Sequence, residues 1–104
     1  MTQGVLGSAD LAAATVTLLC TIDVTVQTIN IGVCNRNAAP IAVQIAIGTG
    51  ASPAAKDWKQ FNFPVPANGT DEFTGIAVSS GEKVWVLSSL ANVSADVRGL
   101  TVIP

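Results

Sequence analysis

The sequence contains no histidine and no tyrosine, and only five lysines and arginines against seven aspartates and glutamates. Without histidine, the commonest general base and metal ligand is missing. A serine among Ser79, Ser80, Ser88 and Ser89 has only Lys56, Lys59 or Lys83 left to activate it, and no spacing joins one to another. No catalytic residue is assigned, and the chain is read as non-enzymatic. The net charge of −2 and the lack of a basic cluster leave nothing to neutralise a phosphate backbone. Nucleic acid is therefore not an expected partner.

Cysteine is scarce as well. Cys20 and Cys34 have no histidine near them, so they form no zinc pattern. They read either as small buried side chains on strands or as a disulfide, and sequence does not supply the Cα spacing a bond requires. The carboxylates lack an Asp-x-Asp-x-Asp-Gly loop. Asp71 and Glu72, as neighbours on a strand, point to opposite faces, and with Asp57 and Glu82 they read as solvated turn carboxylates. Gly48-Thr49-Gly50 is too short for a phosphate loop. No metal and no cofactor is expected. Long hydrophobic runs are missing too. Leu11–Ile22 is interrupted by Thr15, Thr17 and Thr21 and is too short and polar to cross a bilayer. No lysine or arginine precedes it as in a signal peptide. No membrane partner is expected, and the sequons at Asn68 and Asn92 matter only in a secretory pathway.

What the chain has is alternation. In Ile41-Ala42-Val43-Gln44-Ile45-Ala46-Ile47 every second residue is branched, so Ile41, Val43, Ile45 and Ile47 line one face of a central strand. Val26–Cys34 repeats the pattern with Ile29, Ile31 and Val33 inward, and Gly32 marks a bulge or a close backbone approach. The turn cluster Asn35–Pro40 between these two runs predicts a hairpin. Thr15–Ile22 alternates with Val16, Leu18, Cys20 and Ile22 on one face. Trp58–Val65 places Phe61, Phe63 and Val65 together, and Pro64 makes it an edge strand. Glu72–Val78, Lys83–Leu90 and Val93–Arg98 follow, with Leu100–Ile103 closing the chain. Gly48–Asp57 is the longest polar loop, with room for one helical turn before Trp58.

About seven strands separated by turn signals predict an all-β, antiparallel two-sheet β-sandwich, immunoglobulin-like or jelly-roll-like. Met1–Asp10 reads as an N-terminal arm, and residues 11–104 as a single sandwich domain. The hydrophobic fraction is 49% and the charged fraction 12%, about half the usual charged share. Such a surface predicts a homo-oligomer or a symmetric lattice rather than a free monomer. Candidate interface residues are Trp58 and Trp85, since tryptophan is enriched at contacts, together with the apolar end Leu100, Val102 and Ile103. A glycan platform on either tryptophan is the alternative use of an exposed indole.

Several short segments, taken in order, carry a resemblance. They are Val33-Cys34-Asn35-Arg36, Ala51–Trp58, Pro66-Ala67-Asn68-Gly69, Phe73-Thr74-Gly75-Ile76, Ser80–Val84 and Ala91-Asn92-Val93-Ser94. Each alone is turn chemistry, but their order and spacing over Gly4–Leu100 resemble a family of small structural proteins of tailed-bacteriophage virions. The turn Asp23-Val24-Thr25 and the apolar end Leu100–Pro104 depart from that pattern. The resemblance implies a virion protein assembled in the host cytoplasm. Its most direct role is capsid decoration, or cement, with the phage major capsid protein as partner. A tail, neck or fibre accessory bound to tail or neck proteins is the alternative.

Overall fold

The computed structural model describes residues 4–22 and 26–101. Eight strands run Gly4–Leu11 (β1), Thr17–Thr21 (β2), Val26–Asn35 (β3), Ile41–Gly48 (β4), Trp58–Val65 (β5), Thr70–Ala77 (β6), Lys83–Ser88 (β7) and Val93–Thr101 (β8). A single 3-10 turn, Ala55–Asp57, precedes β5. The strands form two four-stranded sheets in the orders β1-β8-β3-β6 and β2-β7-β4-β5, and every pairing between named strands is antiparallel. First pairs with last, second with seventh, third with sixth, fourth with fifth. That nesting is one long hairpin rolled up on itself, the jelly roll, and it decides between the two sandwich types expected from sequence.

The core forms where alternation is strictest. Ile29, Ile31 and Val33 from β3 and Val93, Ala95 and Val97 from β8 face Ile41, Val43, Ile45 and Ile47 from β4 and Val84 and Val86 from β7. All are buried, as side chains on the inner faces of two stacked sheets must be. β4 lies between β7 and β5, so its reading as a central strand holds, and β5 is an edge, as Pro64 requires.

Four expectations are corrected. Met1–Asp10 is not an arm throughout: Gly4–Asp10 belongs to β1, paired along β8 from Gly4↔Gly99 to Leu11↔Val93. Two glycines and an aspartate hide its alternation. The turn after β3 makes no hairpin, because β3 and β4 lie in different sheets. Asn and Pro end a strand equally well before a tight turn or a crossover. In β2 the register shifts between Leu18 and Cys20. The extra residue exchanges the faces, so Leu19 is buried while Val16 and Leu18 are 42% and 48% exposed. In β5 two shifts, opposite Val43–Ile45 and Ile45–Ala46, break the phase and leave Phe61 63% exposed; Phe63 keeps its place opposite the inward Val43 and is 41% exposed because β5 is an edge. The Asp23–Thr25 turn lies outside the described residues.

The two open sides of the sandwich differ. On one, β1 and β2 meet where their irregularities face each other: the β1 register shifts between Val5 and Gly7, beside Leu19 in the β2 shift. A Cβ on Gly7 would stand 2.0 Å from the Leu19 carbonyl oxygen, so only glycine lets the backbones close there. On the other side, β5 and β6 turn Gln60 and Asp71 toward the seam between the sheets, opposite the inward positions Ile45 and Val33.

Candidate interaction surface

Trp58 and Trp85 are brought together on the outer face of the β2-β7-β4-β5 sheet. Both pair with Ala46, one from each side. Ala46 points outward yet has no exposed surface, as a methyl flanked by two indoles would. Trp85 is itself only 3% exposed, so it stiffens the face and offers little contact area. Trp58 is half-buried, and its ring meets that of Phe61 edge-on, with centroids 5.9 Å apart. That geometry suits the opposed charges of ring edge and ring face. The bulges of β5 leave Lys59 without a partner on β4 and exposed beside this aromatic pair. Asn62, with φ of 56°, is held outward by Gln44 Nε2, which donates to Asn62 Oδ1 at 2.9 Å.

Leu100 is in β8, but its side chain, and all of Val102 and Ile103, lie outside the described residues. The exposed large apolar side chains that the structure places are Val5, Val16, Leu18, Phe61, Phe63 and Leu90. Sequence reasoning put Leu18, Phe61 and Phe63 on inner faces. Register shifts that depend on the partner strand turn Leu18 and Phe61 outward, whereas Phe63 keeps the inward phase opposite Val43 and is exposed because β5 is an edge.

A second surface is the outer face of the β1-β8-β3-β6 sheet. Two cross-strand rows make it: Ser8, Asp96, Gly32 and Glu72, then Asp10, Ser94, Cys34 and Thr70. Short side chains and Gly32 leave a trough of about 620 Å³. A Cβ on Gly32 would lie 2.8 Å from Asp96 Oδ1, so what comes close is a side chain, and neither the bulge nor the backbone approach expected at Gly32 is there. Asp10 pairs with Arg36, and Asp96 accepts a hydrogen bond from Arg98 Nε at 3.1 Å. Among the described residues Glu72 has no cation beside it.

The remaining carboxylates are less solvated than expected. Asp57 is buried, and its Oδ2 accepts a hydrogen bond from the Ala54 backbone N–H at 2.8 Å. It sits over Gly48, where a Cβ would be 2.3 Å away. Glu82 accepts from the Ser79 backbone at 2.6 Å. Asp71 and Glu72 do point to opposite faces. Burial pushes the Asp71 carboxyl above its usual range, and the charge of Glu72 adds to the rise; the Glu72 backbone N–H and the Gln60 amide work against it. Asp71 Oδ2 and Gln60 Oε1 are both buried without a partner. Cys20 and Cys34 are free thiols in different sheets, and desolvation raises the pKa of Cys20. Among the described residues no group of three His, Cys, Asp or Glu side chains is placed to hold a metal ion. No helix there is long and apolar enough to cross a membrane.

Comparison with protein-family models gives no match, and a search of curated proteins finds no significant relative.

Proposed function

We propose that this chain is a non-enzymatic structural protein of a tailed-bacteriophage virion that decorates the capsid and acts through protein–protein contacts. The observation that carries the contact role is the aromatic edge of β5. Phe61 and Phe63 are 63% and 41% exposed on a chain with only 12% charged residues. Exposed aromatic side chains on a rigid strand are the composition of an interface centre, which a partner would cover. The placement on a phage particle rests on the order and spacing of the turn segments from Val33 to Ser94. The alternative within the same class is a tail, neck or fibre accessory, which would use the same edge.

Mass spectrometry of purified particles tests the proposal. Decoration requires many copies of the chain per particle, located on the head. A few copies per particle favour the neck or tail, and particles without the chain overturn the reading. A glycan-binding role would use Trp58 and Phe61, and a glycan array showing no signal that depends on these two residues removes it.

A further inference from the structure

The lysines of this chain gather at one end of one sheet, where Asp57 and Glu82 also lie. Lys83 pairs with Gly48, and Trp58, the neighbour of Lys59, pairs with Ala46. Lys56 lies in the adjoining 3-10 turn. All three lysines therefore gather at the Gly48 end of the β2-β7-β4-β5 sheet. The trough occupies the other sheet and the other end, beside the β3 terminus, where Cys34 pairs with both Ser94 and Thr70. The cluster and the trough thus lie on different sheets and at opposite strand ends, so no lysine of this cluster seats in the trough of its own copy. Both arginines are spent on Asp10 and Asp96. Among the described residues no carboxylate pairs with Lys56, Lys59 or Lys83, while Glu72 stands uncompensated in the trough.

We infer that copies of this chain associate head to tail, the Lys59–Phe61 edge of β5 in one copy seating in the trough of the next. The occupant is a second copy because the two surfaces are complementary and neither can be satisfied within one molecule. Phe61, held edge-on by Trp58, supplies a rigid aromatic anchor. The trough has short side chains and Gly32 along its floor, which leave space for a ring, and Glu72 lies there to meet Lys59. Charge sets direction and encounter rate, while the ring contributes most of the hold. The contact joins two different patches, so it repeats from copy to copy until a ring closes or a filament grows. It stands apart from the assignment to a phage particle, since it concerns the free protein.

Sedimentation and light scattering of the isolated protein test it. The wild type is expected to gain mass with concentration beyond a dimer, and less so at high salt. Phe61→Ser, Lys59→Glu and Glu72→Lys are surface changes, and circular dichroism melts verify that each variant is folded. Each is expected to weaken association by about tenfold or more. An equimolar mixture of the Phe61→Ser and Glu72→Lys variants retains one intact trough and one intact aromatic edge, while the edge and trough left over lack the ring and set lysine against lysine, so it should stop at a one-to-one dimer. A wild type that stays monomeric, one that stops at a two-fold dimer, or folded variants that associate like the wild type would each overturn the inference.

Discussion

The Asn35 side chain gathers carbonyl groups from separate parts of the chain. Its Nδ2 donates to Ala39 at 2.9 Å, to Pro66 at 3.0 Å and, at the longer distance of 3.4 Å, to Val65. Its Oδ1 accepts from the Asn37 backbone N–H at 2.9 Å. Asn37 carries the stitching on to Ala91. Asn35 is 1% exposed, so its donors cannot turn to water. Asn35→Asp keeps the shape but puts a carboxylate oxygen against carbonyls, and a loss of about 3 kcal/mol is expected in urea unfolding. Asp71 carries the opposite lesson. Its folded pKa is raised, so the native state holds the proton more tightly than the unfolded chain, and the charged form costs stability above that pKa. Asp71→Asn is expected to raise Tm at pH 7, with the gain shrinking as the pH falls through the normal carboxylate range. Thermal melts across that range check the sign. Neither role was legible in the sequence. Asn35 looks like any turn asparagine, because two of its partners lie some thirty positions away, and Asp71 is raised by burial that only the β5–β6 seam creates.

At the scale of the strand, legibility follows regularity. Ile29–Val33, Ile41–Ile47 and Val93–Val97 alternate without interruption on their inner faces, and their burial could be read residue by residue. β2 and β5 look regular in the sequence, but each carries register shifts, and a shift of one residue sends a side chain to the other face. Ile45 tests the regular case. It has no exposed surface, and Ile45→Asp would bury an unpaired charge at a cost of about 5 kcal/mol, on the order of the stability of a whole domain. Loss of soluble, cooperatively melting protein is expected. Gly7 tests the irregular case. In Gly7→Ala the new methyl meets the backbone of β2, which cannot swing aside as a side chain would. A loss of about 1–3 kcal/mol is expected by denaturant titration. The aromatic edge of β5 was half legible: Pro64 gave the edge, which leaves Phe63 exposed, but the outward turn of Phe61 follows from the bulges.

For the whole molecule, composition indicated sheet, and turn spacing indicated a sandwich. Topology was out of reach, because the same asparagine and proline signals precede a hairpin and a crossover. The jelly roll makes β8 an interior strand, lying between β1 and β3. Of the eight strands, the last to be synthesised is thus the one that completes the first sheet. Until it leaves the ribosome, β1 has no partner within its own sheet and β3 keeps one free edge. Most close contacts join residues far apart in sequence, so refolding should take milliseconds to seconds rather than microseconds, as stopped-flow fluorescence of Trp85 can measure. A chain ending at Asn92 should remain unfolded rather than form a smaller sandwich. The protein therefore has no stable partial form during its synthesis, and the time between the emergence of β3 and the arrival of β8 is its interval of greatest exposure to aggregation.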